Sequence, residues 1–454
     1  MPAPPNSRGD PITAKAQLVA HLAEGCKPES AWRIGTEHEK FVFRLTGRRP
    51  AGHDGPQGIR ALLMGMTRFG REPVYEGERA LALTEDHCST TLEPGSRSEL
   101  SGAPLESLHQ TCSEVHARLE QVRVVAGELG LGMIGLGFEP IWHIDDMPRM
   151  PKGRSAIMRR YMPKVGTLGL DMMHRTGTVQ VNLDFESELD MVRKFRTSSA
   201  LQPMATALFA ASPFTEGQPN GILSCRSDVW TDTDEDRSGM LDFVFEEGFG
   251  FERYVDYLLD VPMYFVYRYG KYIDAAGQSF RDFVDANLTA LPGETPHLGD
   301  WSGHVTTAFS GVRLERCLEM RGADGRSCRK LCALPALGVG LLYDRRALAA
   351  AESLVADWSV AEIRALRDQV PKLGLETPFR GVTRREVALE ALPIARRGLR
   401  HRARPDNSGD DEGYFLDTLF TIAGSGCTPA EELLADFHRK WNETIDPIYR
   451  EYAH

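Results

Sequence analysis

Apolar residues recur at every second position in three stretches, and each predicts a β-strand. In TVQVNLDF (178–185), Val179, Val181, Leu183 and Phe185 face one way and Gln180, Asn182 and Asp184 the other, because successive strand side chains leave opposite faces. VRLERCLEMRGAD (312–324) alternates too, setting Glu315, Glu319 and Arg321 against Leu314, Leu318 and Met320. WRIGTEHEKFVF (32–43) is the odd one: Glu37, Glu39, Phe41 and Phe43 share a single face. Two carboxylates beside two phenylalanines on a face patterned for burial need a physical reason.

Helical spacing fills much of the rest. Leu105, Leu108, Val115, Leu119, Val122 and Val125 predict a long amphipathic helix over 104–129. Shorter helices are expected over 197–211 and from Pro11 to about residue 23, the latter with Asp10 as N-cap. Residues 133–138 read as strand, and 80–102 as extended chain broken at Pro94-Gly95. From about residue 329 the pattern is mainly helical, and the basic run 395–404 followed by DNSGDDEG reads as an exposed loop. With no repeat and no long linker, the chain divides into a catalytic body over 1–345 and a helical region over 346–454 packed on it. GLGMIG (130–135) has the spacing of a dinucleotide fingerprint, but a helix precedes it and a strand follows, the reverse of what that motif requires. Gly130 reads instead as the end of the helix.

Composition narrows the function classes. The 454 residues are 42% apolar and 26% charged, with a formal charge of −11. That charge disfavours nucleic acid and anionic membrane as partners, since both are polyanions. No apolar run reaches the ~20 residues of a membrane span, and MPAPPNSRGDPIT lacks the apolar segment of a secretory signal. Eight scattered cysteines do not make a disulfide scaffold, which leaves a reducing cytoplasm as the expected location. Cys317, Cys328 and Cys332 form no C-x-x-C pair, and His38, His87 and His174 lack zinc-ligand spacing.

The acidic strands carry the chemistry. Taken singly, Glu37, Glu39, Glu93, Glu99 and Glu319 each read as part of an exposed strand edge; together they read as the lining of a cavity. Two carboxylates ~5 Å apart repel by about 3 kcal/mol at an effective dielectric of 20. Protonation or a cation must relieve that repulsion, and oxygen-only ligands favour Mg²⁺, which commonly bridges carboxylates and nucleotide phosphates. Arg226 and Arg321 suit carboxylate or phosphate groups. A Mg²⁺-dependent hydrolase or phosphotransferase would use such a cavity equally well.

Eight motifs in order, IGTEHEKF, TLEPGSRSELSG, MPKVGTLGLDMM, TVQVNLDF, SPFTEGQPNG, RSDVWTDTD, DVPMYFVYR and LEMRGADG, together resemble the plant and proteobacterial type of glutamate–cysteine ligase. The resemblance runs from about residue 30 to 345 and more loosely onward. It implies an α+β, glutamine-synthetase-like fold: a curved, mainly antiparallel sheet lining the active site and backed by helices. It implies ATP-dependent joining of the side-chain carboxyl of L-glutamate to the amine of L-cysteine, the first step of glutathione synthesis. It further implies Glu37, Glu39, Glu99 and Glu319 as Mg²⁺ ligands, with Glu93 nearby, and Gln180 and Asn182 on the strand flooring the site. Arg226 becomes the substrate-carboxylate arginine, Trp230 a wall of the cysteine pocket and Arg321 a group near the ATP phosphates, with Arg175 and Lys164 as further anion contacts. Another carboxylate–amine ligase of the same superfamily is the near alternative. Plant members carry a cysteine pair where this chain has Ala275 and Ala290, so a monomer is expected; their other pair matches Cys112 and Cys332, and either a bridge or two reduced thiols fits.

Overall fold

The computed structural model describes residues 8–326 and 331–453. Its centre is a nine-stranded sheet of β1 (Ile34–Arg44), β2 (Glu72–Glu76), β3 (Arg79–Glu85), β4 (Cys88–Glu93), β5 (Arg97–Ser101), β6 (Leu131–Ile134), β7 (Thr178–Leu183), β8 (Val312–Leu314) and β9 (Leu318–Asp324). The lateral order is β8-β9-β7-β1-β5-β4-β3-β2, with β6 also on β1, and every pairing is antiparallel. The helices used below are α1 (Lys15–Ala23), α2 (Leu108–Glu128), α3 (Gly153–Tyr161), α4 (Gly169–Arg175), α5 (Glu188–Phe209), α6 (Cys225–Val229), α7 (Ala333–Leu342), α8 (Arg384–Arg402), α9 (Pro429–Arg439) and α10 (Ile448–Glu451).

Period-two patterning sets the apolar face. Val179, Val181, Leu183, Leu314, Leu318 and Met320 all enter the main core, and Gly338 of α7 lets that helix lie close over Leu183 and Val181. Leu337 of α7 and Leu392 of α8 belong to the same core, so the helices beyond residue 345 share one interior with the sheet.

Several expected boundaries move, each for a local reason. The first helix starts at Lys15 rather than Pro11, because Pro11 is drawn into an extended bridge with His297. Residues 312–324 are a hairpin and not one strand; its turn at Glu315–Cys317 is polar enough to pass for alternation. The helix expected at 197 begins at Glu188, where the Ser187 hydroxyl accepts the Asp190 amide, and β6 ends at Ile134. The basic run lies largely on the last turns of α8, where cations meet the negative end of the helix dipole. Gly130 does sit just past the end of α2, with φ +66°, the left-handed conformation that glycine adopts without strain.

β1 resolves the puzzle of its mixed face. Glu37 and Glu39 look into a cavity, whereas Phe41 and Phe43 farther along are roofed by Phe437, Trp441 and Tyr449 from the C-terminal segment. The Phe43 and Tyr449 rings lie 4.6 Å apart. One face of one strand thus serves both an aqueous and a dry compartment. The roof is anchored by Glu139, which is fully buried. It accepts the Tyr449 hydroxyl at 2.6 Å and the backbone amides of Ile141 at 3.0 Å and Trp142 at 2.5 Å. Burial pushes its carboxyl up to about 7, although these donors oppose the rise. Tyr449→Phe should cost about 1–3 kcal/mol, since it strips one donor from a buried acceptor; urea unfolding at pH 8 checks this.

Candidate active site

Strand register assembles the site. β1 sets Glu39 opposite Glu99 of β5 and Glu37 opposite Gln180 of β7, and β9 sets Glu319 opposite Asn182. Between Met320 and Ala323 the β9–β7 register shifts, a bulge that re-aims Arg321 toward the cavity. A Cβ at Gly322 would stand 1.8 Å from Gln202 Nε2, so a larger residue there would have to displace the Gln202 side chain. The resulting cavity, about 350 Å³, is lined by Glu37, Glu39, Glu93, Glu99, Gln180, Arg226, Trp230 and Arg321. A smaller apolar chamber of about 70 Å³ adjoins it and shares Arg226, Trp230 and Arg321.

Each carboxylate is met differently. Glu37 accepts Gln180 Nε2 at 2.6 Å and Asn182 Nδ2 at 2.9 Å. Burial, then the charges of Glu319 and Glu99, push it up to about 8, so it holds a proton at neutral pH. Glu39 pairs with Arg97 Nη1 at 2.8 Å, yet burial outweighs that contact and raises its carboxyl. Glu93 pairs with Lys152 at 2.8 Å; against the cost of burial, that ammonium holds it down to about 2. Glu319 sits between Arg313 and Arg321, each at 2.6 Å, and despite burial the two guanidinium groups lower its carboxyl.

Of the residues expected at the site, Glu319 and Asn182 stand immediately behind the lining and touch it through Arg321 and Glu37. Arg226, on α6, is buried; its Nη2 donates to the Arg321 carbonyl at 2.5 Å, its Nε has no partner, and burial lowers it to about 10. Trp230 packs on Phe309. Two expected anion contacts are not brought in. Arg175 faces away on α4, paired with Asp171 at 2.7 Å and Glu216 at 3.1 Å, and Lys164 is exposed after α3. Arg97, Arg313, Lys152 and Arg154 join the site without having been foreseen.

Mg²⁺ was expected to be the neutraliser, and the fit is partial. Among the described residues no three acidic, histidine or cysteine side chains converge as a ready cation cage, because Arg97, Lys152, Arg313 and Arg321 already balance Glu39, Glu93 and Glu319. Glu37, whose proton a bound cation would displace, Glu99 and the orphaned Gln180 Oε1 supply oxygen donors of the kind a hard cation takes. Cys112 and Cys332 are both free thiols. A hydrogen bond from Cys332 draws Cys112 down to about 7 against the effect of burial. Cys328 lies outside the described residues.

An arginine-laced acidic cavity on an antiparallel sheet suits an enzyme that handles anionic substrates. The sequence profile described as glutamate-cysteine ligase family 2 (GCS2) matches residues 33–451, and the chain belongs to that family. Chloroplastic glutamate–cysteine ligase of Nicotiana tabacum is 55% identical over 443 residues, 97% of this chain and 83% of that protein. The Arabidopsis thaliana enzyme is likewise 55% identical over the same shares. Glutamate–cysteine ligase of Francisella tularensis, solved with AMP, has a TM-score of 0.52 at 12% identity, over 90% of this chain and 85% of that one, a likeness of fold. The expected cytoplasmic location is corrected by these relatives, whose names place them in the chloroplast. Cysteine usage does not tell one reducing compartment from another.

Proposed function

We propose that the chain is itself a glutamate–cysteine ligase, joining the side-chain carboxyl of L-glutamate to the amine of L-cysteine as ATP is cleaved to ADP and phosphate. The observation that carries this reading is the meeting of Glu37, Glu39, Glu93 and Glu99 with Arg226 and Arg321 around one cavity, in a chain of this family. Arg226 holds the α-carboxylate of glutamate, a bidentate task for which its unpartnered Nε is available. The side-chain carboxylate attacks the γ-phosphorus of ATP, giving γ-glutamyl phosphate and ADP; the neutral amine of cysteine then displaces phosphate. Glu37, Glu99 and Gln180 would hold Mg²⁺, which when bound supplies charge neutralisation to the phosphates. The protein's own part is mainly to orient the reactants and exclude water.

The test is phosphate release with ATP plus glutamate, cysteine, both, or glutamate with another amine. A ligase of this kind releases phosphate in step with amide only when both amino acids are present; release with ATP alone would indicate a hydrolase. Arg226→Ala should raise the glutamate KM at least about tenfold, the scale of a lost charge-assisted contact, with the ATP KM nearly unchanged. Unchanged amino-acid KM values would remove Arg226 from that role.

A further inference from the structure

Among the described residues, the cations around the cavity fall into two sets. Arg97, Lys152, Arg313 and Arg321 each have a carboxylate within 3 Å. Arg154 and Arg226 line the same cavity and have none. Arg226 already has its anion in the reading above, and the reaction brings a second one, the polyphosphate of ATP. We propose that Arg154, with Ser155 and the amino-terminal turn of α3, is the seat of the nucleotide's phosphates, an inference that rests on the ligase reading and extends it.

The geometry favours phosphate over a second carboxylate. Arg154 is only 6% exposed, and its Nη2 is buried with no partner. Its guanidinium lies 5.0 Å from the Phe265 ring, which holds its plane without using its donors. Lys152 caps the nine-residue helix without a side-chain hydrogen bond, since an ammonium has no acceptor to offer the first amides; it donates to Glu93 instead. Gly153 N donates to Glu76 at 2.9 Å, and the first amide to bond back within the helix is that of Ala156. That leaves the Arg154 and Ser155 amides as open donors at the positive end of the helix dipole. Ser155 also lines the cavity. A fork of N–H groups, two helix-end amides and a hydroxyl are more donors than one carboxylate can accept, and they match a phosphate. The neighbouring charges are Glu93, Glu99 and Arg313. Glu93 is compensated by Lys152, so the seat is not closed to an anion.

The experiment is titration calorimetry on the full chain with β,γ-imido-ATP and, separately, adenosine, at fixed Mg²⁺. Arg154→Met keeps the apolar stem against Phe265; it should weaken the ATP analogue at least about tenfold and change adenosine less than twofold. Ser155→Asp is the second variant. Its carboxylate would pair with Arg154 and favour the helix start, so it should fold, and by filling the seat it should weaken the analogue to a similar degree. Analogue binding unchanged in either folded variant, or adenosine lost in parallel with the analogue, would overturn the assignment. If the wild type binds the analogue with this dependence on Arg154 yet forms no amide, the ligase reading falls and the phosphate seat stands.

Discussion

Glu37→Gln should lower turnover by on the order of a hundredfold or more while making the ligand-free protein more stable at pH 8. Both effects have one cause. Glu37 is raised from 4.5 to about 8 by burial and by the charges of Glu319 and Glu99, so the folded chain grips a proton that the unfolded chain releases. A raised folded value means stability that is fully present below about pH 4.5 and lost as pH climbs toward 8. Glutamine has the shape of the protonated acid and does not titrate. Gln180 can serve it, because its free Oε1 can accept from the new amide once the Gln180 side chain turns over. The wild type should therefore melt at progressively lower temperature between pH 5 and pH 8, and Glu37→Gln should flatten that slope. Thermal melts across this range, alongside the phosphate-release assay, check both. A parallel slope in the variant would move the proton elsewhere; near-normal turnover would take Glu37 out of the chemistry. Glu319 is the opposite case, since Arg313 and Arg321 demand its charge. The site stores one carboxylate neutral and another ionised on the two strands that flank β7.

How much of this the sequence disclosed depends on the range over which each partner acts. Alternation is local, so the apolar face of β7 and the inward Gln180 and Asn182 could be read directly. So could the acidic face of β1, and Gly130 as a helix end. Neutralisation is not local. Arg97 lies 58 residues from Glu39, and Lys152 lies 59 from Glu93; nothing in either segment announces its partner before the register is known. Repulsion between carboxylates therefore reads from sequence as relieved by protonation or by metal, when buried arginine and lysine carry much of it. Arg175 failed for the same reason in reverse: Asp171 one turn earlier in α4 was available to hold it. Arg154 left no sequence signal beyond its place at the start of α3.

Gly95→Ala should destabilise the protein by about 2–6 kcal/mol and unseat the site, an effect out of proportion to one methyl group. Gly95 has φ +76°, where a side chain is strained by about 1–3 kcal/mol. A Cβ would also stand 1.9 Å from the backbone oxygen of His174, and overpacking of this kind adds ~1–3 kcal/mol. The turn cannot drift to relieve the clash. Ser96 Oγ lies 2.7 Å from the carbonyls of both Val42 and Ala51, to one of which its proton is donated, and Gly95 N donates to Pro148 O at 3.1 Å. The same docking lets Arg97 reach the Met173 and Thr176 carbonyls at 2.7 and 2.5 Å while it pairs with Glu39. Pushing the β4–β5 tip away from α4 therefore pulls Arg97 off Glu39 and disturbs Glu93 and Glu99 on the two strands that meet there. Gly77→Ala is the control: Gly77 has φ +63°, but nothing stands within 4 Å of its Cβ position, so only the backbone strain of about 1–3 kcal/mol applies. Urea unfolding of both variants separates the two contributions. Equal losses would mean that strain alone accounts for Gly95; a larger loss in Gly95→Ala, with turnover falling in step, would tie the hairpin tip to the arrangement of the carboxylates.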